Sequence, residues 1–498
     1  MKAISKNVFC LLVLVGFMSC SDYLDKLPSA TNGTPITEVS QLFALYDVPS
    51  DTYEKYNYAA EFMHDDTEIT REMFLSSNGV NTFEMTRCIP YYTANNELLA
   101  DRTADQYWTN EYSRIYKANV ILYYYDKVEG DRQLALEAAA NAYLTRAYSF
   151  HSMSIYYCRP YCEANKNELG IPLRLATDFE EAIDRGTLQN TYNQILSDIK
   201  SAENIISTER VDAQRPWRAS LCAVYALYAR VYLSMNDYDN ALLYAEKALQ
   251  IAPELQDYNN LTYAAPLNAD DETGQHRLAI CETYRWYASE FNTWKDFIYT
   301  RLVMAKDWWI PSKSLLDTYD PVLDLRYDFF VVEDYNHWKN LGATAPAFAQ
   351  FGQGMYVQSG LTTAEMYLIK AECMVRKGQW QEGLDVLLPL RQKRFRHGIS
   401  IPLTADSQEE ALREVLAERR REMPFTARLG DIKRFSVNSD PNDDVVIKRE
   451  FFEIVNNTVN TNAPITYTLE GNSPRLAMPI FSTDITASNG ALQQYPYE

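Results

Sequence analysis

Residues 225–253 read YALYARVYLSMNDYDNALLYAEKALQIAP. Small residues recur where two helices must touch: Ala229 in the first half, then Ala241, Ala245 and Ala248 in the second. With only a methyl group at those points the two axes can approach closely. Tyr232 gives the first helix a large ring, Asn236-Asp237 makes the turn, and Pro253 stops the second helix. The stretch predicts an antiparallel helix pair.

Its spacing resembles a tetratricopeptide unit, and such units cannot bury their apolar face alone. The flanking sequence supplies partners. From Ala104 to Glu254 apolar residues fall at threes and fours with few interruptions, and residues 104–157 predict a long antiparallel pair broken near Gly130. Thr187–Ser207 predicts an amphipathic helix with Leu188, Tyr192, Ile195, Leu196, Ile199, Ala202, Ile205 and Ile206 on one face. A second, weaker unit runs from Ala364 to Gln392, with Ala371 at the small position and Gly383 and Leu387 at the second-helix spacing. Between these blocks, Gln256 to Gln358 is aromatic, polar and short of helical period, and Glu61 to Asn96 has a similar mixture. Long irregular segments on a rigid frame either carry ligand-binding loops or cap the helical layers.

Composition narrows the function classes. The 498 residues are 47% hydrophobic and 23% charged, ample for a core, and the net charge of -20 with a pI near 4.8 repels nucleic acid and anionic lipid headgroups. Tyrosine, at 37 residues, is abundant enough to supply rings for stacking on sugars or holding peptides, although rings between helices use the same residue. At the amino terminus Lys2 and Lys6 precede an apolar run from Val8 to Phe17, then Ser19-Cys20. Residues 1–19 read as a secretory signal, too short to span a bilayer. Ser19-Cys20 resembles a bacterial lipobox, which makes Cys20 the lipidated first residue of the mature chain.

Other chemistry is thinly supported. Cys88, Cys158, Cys162, Cys222, Cys281 and Cys373 are scattered; Cys158 and Cys162 could close a small disulfide or remain thiols. His64, His151, His276, His337 and His397 show no His-x-x-x-His metal spacing, and neither a Gly-x-Ser-x-Gly elbow nor a phosphate-cradling loop occurs. No cofactor is expected. Asp65-Asp66 and the Asp440 to Asp444 cluster raise a structural calcium, but Pro441 and the lack of an EF-hand loop favour solvated turns.

Several motifs occur in a fixed order. Trp108, Tyr116 and Asn119 come first, then NAYLTRAYSFHSMSIYYCRPY with Gly170-Ile171-Pro172-Leu173, then Arg185 before the Tyr192 helix. Tyr319-Asp320-Pro321 with Asp324-Leu325-Arg326 follows, then Thr363-Ala364-Glu365-Met366-Tyr367-Leu368 with Ala371-Glu372, ERRREMPFTARLGDIKR over Glu418 to Arg434, and Met478-Pro479-Ile480. In this order they resemble the SusD/RagB family across nearly the whole mature chain. Ser21, Asp22 and Asp25 likewise resemble the acidic export signal of Bacteroidetes surface lipoproteins.

The resemblance implies an all-α, tetratricopeptide-like helical-repeat frame with long irregular, aromatic-rich ligand-binding loops. It implies a single domain over 20–498, with an N-terminal part to 255, a loop-rich insertion over 256–358 and a C-terminal part over 359–498. It also implies a nutrient-binding lipoprotein of the outer membrane facing the cell exterior, not an enzyme, that captures an oligosaccharide and acts as the lid of a SusC/RagA-like TonB-dependent β-barrel transporter. A peptide ligand is the alternative, and a surface glycan hydrolase working through two carboxylates is a more distant one. On position and chemistry alone, Tyr91, Tyr92, Trp286, Tyr287, Trp294 and Trp338 are the ligand-binding candidates. The alternating charges from Glu418 to Arg434 read, independently of any family, as an ion-pair brace pinning a helix to a neighbouring loop.

Overall fold

The computed structural model describes residues 35–496 except 77–82, 85–86, 103, 179–182, 211, 213–214, 264–278, 282–293, 306–308, 334–344, 352–355 and 400. Cys20 and the signal segment therefore lie outside the described residues, as do Trp286, Tyr287 and Trp338.

The helical frame starts with α1 (Gln106–Tyr124) and α2 (Arg132–Tyr157). Asp105 caps α1 by accepting from the Trp108 N–H, and Asp131 caps α2 in the same way from Gln133 and Leu134. The break between them uses Gly130 at φ +118°, a conformation that side chains rarely adopt. Pro160 ends α2, as expected of a residue that cannot continue a helix. α3 (Leu188–Ile205) is capped by Thr187, and α4 (Leu221–Ser234) and α5 (Tyr238–Ile251) form the anticipated repeat, turning at Asn236 with φ +56°. Ala229, Ala241, Ala245 and Ala248 are fully buried between them.

The second unit is α6 (Thr363–Arg376) and α7 (Trp380–Val386). A Cβ at Gly383 would stand 2.7 Å from Val375 Cγ2 and 3.0 Å from the Ala371 carbonyl oxygen, which is why no side chain stands there. α8 (Gln408–Glu422) and α9 (Arg428–Phe435) close the frame.

The α3 stripe differs from expectation in one respect. Leu196, Ile205 and Ile206 are only half-buried, while Thr191 and Asp198 are buried. Asp198 enters the interior because it holds Arg146 of α2 through two bonds of 2.6 and 2.7 Å, and Arg146 also donates to Asn119 Oδ1. A paired charge can occupy a buried position that hydropathy assigns to an apolar residue.

The segments lacking helical period build a second layer of very short strands. Tyr53–Lys55 pairs in parallel with Leu302–Met304, which pairs antiparallel with Tyr356–Gln358. Gly360 follows this sheet, and a Cβ there would overlap the Tyr299 carbonyl oxygen and sit 2.5 Å from the Arg301 nitrogen. Backbone cannot yield as a side chain can, so Gly360→Ala is expected to cost about 2 kcal/mol by urea unfolding.

A hairpin of Val446–Val455 and Thr458–Glu470 turns at Asn456-Asn457, both at positive φ. Its Phe451 meets Phe74 and Tyr92 at 5.3 and 5.6 Å, and Arg449 donates to the carbonyls of Tyr92 and His64. Nearby, Asn96 donates to Ala477 O, and Arg475 donates to the carbonyls of Thr93 and Ala94. Residues 64–96 and 446–477, far apart in sequence, are thus packed together.

Cys158 and Cys162 are free thiols, which answers the disulfide alternative; burial pushes the thiols of Cys158, Cys222 and Cys373 up. Among the described residues no helix is long and apolar enough to cross a membrane.

Candidate ligand-binding cleft

The two irregular segments flagged in the sequence are joined to each other. Thr67 bridges Pro311, the Ser312 N–H donates to Asp66 O at 2.7 Å, and the Lys313 N–H donates to Glu68 Oε2 at 3.1 Å. Between them opens a cleft of about 560 Å³, lined by Glu68, Thr70 and Met73 on one side and by Ile310, Pro311, Lys313, Leu316, Asp317, Tyr319, Pro321, Tyr327, Ala345 and Pro346 on the other.

Its floor is held by the Glu418 to Arg434 signature. Arg428 grips Asp65 with two bonds of 2.6 and 2.7 Å, Arg420 Nε donates to Asp66 Oδ1 at 2.6 Å, and the Phe425 N–H donates to Asp66 Oδ2. Burial alone would raise the Asp65 carboxyl, yet Arg428 and Arg420 hold it well below the usual carboxylate range. Asp65 and Asp66 therefore do not form the solvated turn expected of them: Asp66 is fully buried, and both are paired with guanidinium groups. In the other cluster, Asp443 bonds to Arg376 and Asn438, and Asp440 caps a short turn.

One level deeper, Arg326 ties Asp324 to Glu422 and Glu418, and Arg394 ties Glu422 to Asp296 and Gln256 O. All these side chains are buried. The brace read from the alternating charges is present, and it extends further than sequence spacing could show, because Asp296, Asp324 and Arg326 come from the loop-rich insertion.

Tyr319 and Tyr327 shape the wall. Their rings lie 6.2 Å apart, the Tyr319 hydroxyl donates to Arg421 O at 2.9 Å, and the Tyr327 hydroxyl donates to Glu333 Oε1 at 2.9 Å. Tyr319 is buried and Tyr327 half-buried; burial, with Glu333, pushes the Tyr327 phenol up to about 12, so it remains a neutral donor. Tyrosine and proline together offer flat, C–H-rich surfaces, with Glu68, Thr70, Lys313 and Asp317 as polar groups around them. This mixture suits a molecule with apolar faces and many hydroxyls.

The sequence candidates fare differently. Tyr91 and Tyr92 do not line the cleft: they are 3% and 2% exposed, Tyr91 lies against Tyr58 and Arg102, and Arg449 sits 4.2 Å over the Tyr92 ring. Trp294 is 3% exposed, against Tyr258 and Phe351. These three rings are core, since their faces are already covered by the protein. Tyr319 and Tyr327 line the cleft instead, and the signal in the sequence that points near them is the Tyr319-Asp320-Pro321 motif.

A second groove of about 450 Å³ follows α1 past Trp108, Tyr112 and Tyr116. There the Tyr112 hydroxyl donates to Pro172 O, and the Asn119 amide donates to Arg174 O and Ala176 O. Those polar groups hold the Pro172 to Ala176 segment in place, so the cleft joining the two irregular segments is the better ligand site.

Fold and cleft together define a helical-repeat binding protein. Residues 22–233 match the family profile described as starch-binding and associating with the outer membrane, and residues 362–497 match that of the SusD family. The chain belongs to the SusD/RagB family. A SusD superfamily protein from Bacteroides thetaiotaomicron aligns with TM-score 0.64 at 19% identity, covering 92% of this chain and 100% of that one. A SusD-like carbohydrate binding protein from Bacteroides vulgatus aligns with TM-score 0.59 at 16% identity, covering 92% and 98%. Surface glycan-binding protein A from Bacteroides uniformis aligns with TM-score 0.60 at 15% identity, covering 92% and 99%. At these identities the likeness establishes the fold. No curated protein sequence matches the chain. At family level this is a glycan-binding protein associated with the outer membrane.

Proposed function

We propose that the chain captures an oligosaccharide in the cleft between Glu68–Met73 and the residues from Ile310 to Tyr327 with Ala345 and Pro346, and closes over a SusC/RagA-like TonB-dependent barrel, tethered at the cell surface by lipid on Cys20. The observation that carries this reading is the joining of the two irregular segments over a buried ion-pair floor, which gives a pre-formed cleft with tyrosine and proline walls. A pre-formed wall avoids the ordering cost that a free loop would incur on binding. The protein acts by binding: the buried carboxylates beneath the cleft are engaged by arginines, which leaves them unsuited to exchange protons with a substrate.

The test is a tagged pull-down from gently solubilised outer membrane, with mass spectrometry of co-purifying protein and retained small molecules. Recovery of a large TonB-dependent barrel together with a bound oligosaccharide is the expected result. A retained peptide would move the ligand class, and product release from glycans would overturn a purely binding role. Once a ligand is in hand, Tyr327→Ala is expected to weaken its binding about tenfold by calorimetry, the loss of one stacked ring.

A further inference from the structure

α2, α3, α4, α6, α8 and α9 line a partly open cavity of about 80 Å³ whose lining includes His151, Tyr192, Arg230, Glu365, Arg419 and Lys433. Most charges around it are matched. Arg230 pairs with Glu365 at 2.6 Å, Arg419 with Asp431 at 2.8 Å, Arg434 with Glu372 at 2.6 Å, and Arg376 with Asp443. Arg159, also in the lining, reaches Glu168 at 3.9 Å, which makes five cations against five carboxylates. Lys433 is the sixth cation, and no carboxylate among the described residues pairs with it.

Its ammonium donates to the carbonyls of Ile155, Cys158 and Leu476 at 2.6, 2.5 and 3.3 Å. Two of these belong to the carboxyl end of α2, where the helix dipole offsets about half a charge. The remainder is unbalanced, and burial pushes the Lys433 amine down to about 7. A second observation comes from the same lining. Arg419, 5% exposed, has an Nη1 with no hydrogen-bond partner among the described residues. A buried guanidinium nitrogen without an acceptor is costly, and a water there would satisfy the donor without balancing the charge.

We propose that this cavity is a binding site for one small monovalent anion of chloride size, accepting from Arg419 Nη1 and neutralising Lys433. The inference stands apart from the glycan-binding reading, since none of its residues lines the cleft. Bound there, the ion would complete the charge balance of the helical frame.

Crystals of the mature chain soaked in sodium bromide and measured at the bromine absorption edge give a direct test. The expected result is an anomalous peak in the cavity within about 3.5 Å of Arg419 Nη1. Bromide at the surface only, with waters in the cavity, would overturn the proposal. In solution, replacing chloride by gluconate at equal ionic strength is expected to lower the melting temperature by about 1–2 °C, because gluconate is too large for the site. Lys433→Met should remove that difference. Should this variant fail to fold, the unaltered chain still decides: equal melting temperatures in the two salts would count against the site.

Discussion

Arg394→Ala is expected to destabilise the protein by about 3–5 kcal/mol, measured by urea unfolding. Arg394 is fully buried, donates to both Glu422 oxygens, to Asp296 and to Gln256 O, and lies 3.9 Å over the Tyr258 ring. Removing it leaves two carboxylates with less compensation in a site that water does not reach. The lost charge should matter more than the lost volume. Arg394→Met, which keeps most of the bulk, should therefore be nearly as damaging, and pairing it with Asp296→Asn should recover part of the loss. Full stability in Arg394→Met would show instead that packing governs this position.

Stability should also fall as the medium is acidified from about pH 6.5 towards pH 4, through the histidines. His64 is fully buried; its Nε2 donates to Ala60 O at 2.7 Å and its Nδ1 accepts from the Asp66 N–H. Burial lowers its pKa to about 4. Between that value and 6.5 the unfolded chain takes up a proton that the folded one refuses, so the contribution is present above pH 6.5 and is lost as pH falls. Over 2.5 pH units this amounts to about 3 kcal/mol. His151, lowered to about 3 by burial, acts in the same direction. His64→Gln keeps a donor and an acceptor, and should reduce the proton uptake on unfolding between pH 6 and 4.5 by about one. An unchanged slope would show that His64 is already protonated in the fold.

The helical frame was legible in the sequence because its determinants are local. Alanines at Ala229, Ala241, Ala245 and Ala248, the turn at Asn236 and the break at Gly130 act within one or two turns, and each is where the spacing placed it. The ion-pair brace was legible in kind, since Glu418 and Glu422 lie one turn apart on α8. Its partners were not, because Asp296, Asp324 and Arg326 lie about a hundred residues away in sequence and carry no period. The site residues were the least legible. Tyr91, Tyr92 and Trp294 share with Tyr319 and Tyr327 an aromatic side chain in an irregular segment. What separates them is which rings border the cleft, and that depends on long-range contacts such as Arg449 over Tyr92.

Those long-range contacts bear on how the protein is made. Asp65 and Asp66 are held by Arg428 and Arg420, the carbonyls of His64 and Tyr92 by Arg449, and those of Thr93 and Ala94 by Arg475, each across more than 350 residues. A chain emerging amino end first from a translocation pore can build α1 to α5 as it appears, but the cleft floor has to wait for roughly the last sixth of the polypeptide. Loops closed over such separations form slowly. Until then Phe74 and Tyr92 lack Phe451, so the aromatic surfaces that later serve as core are the ones a periplasmic holdase would meet.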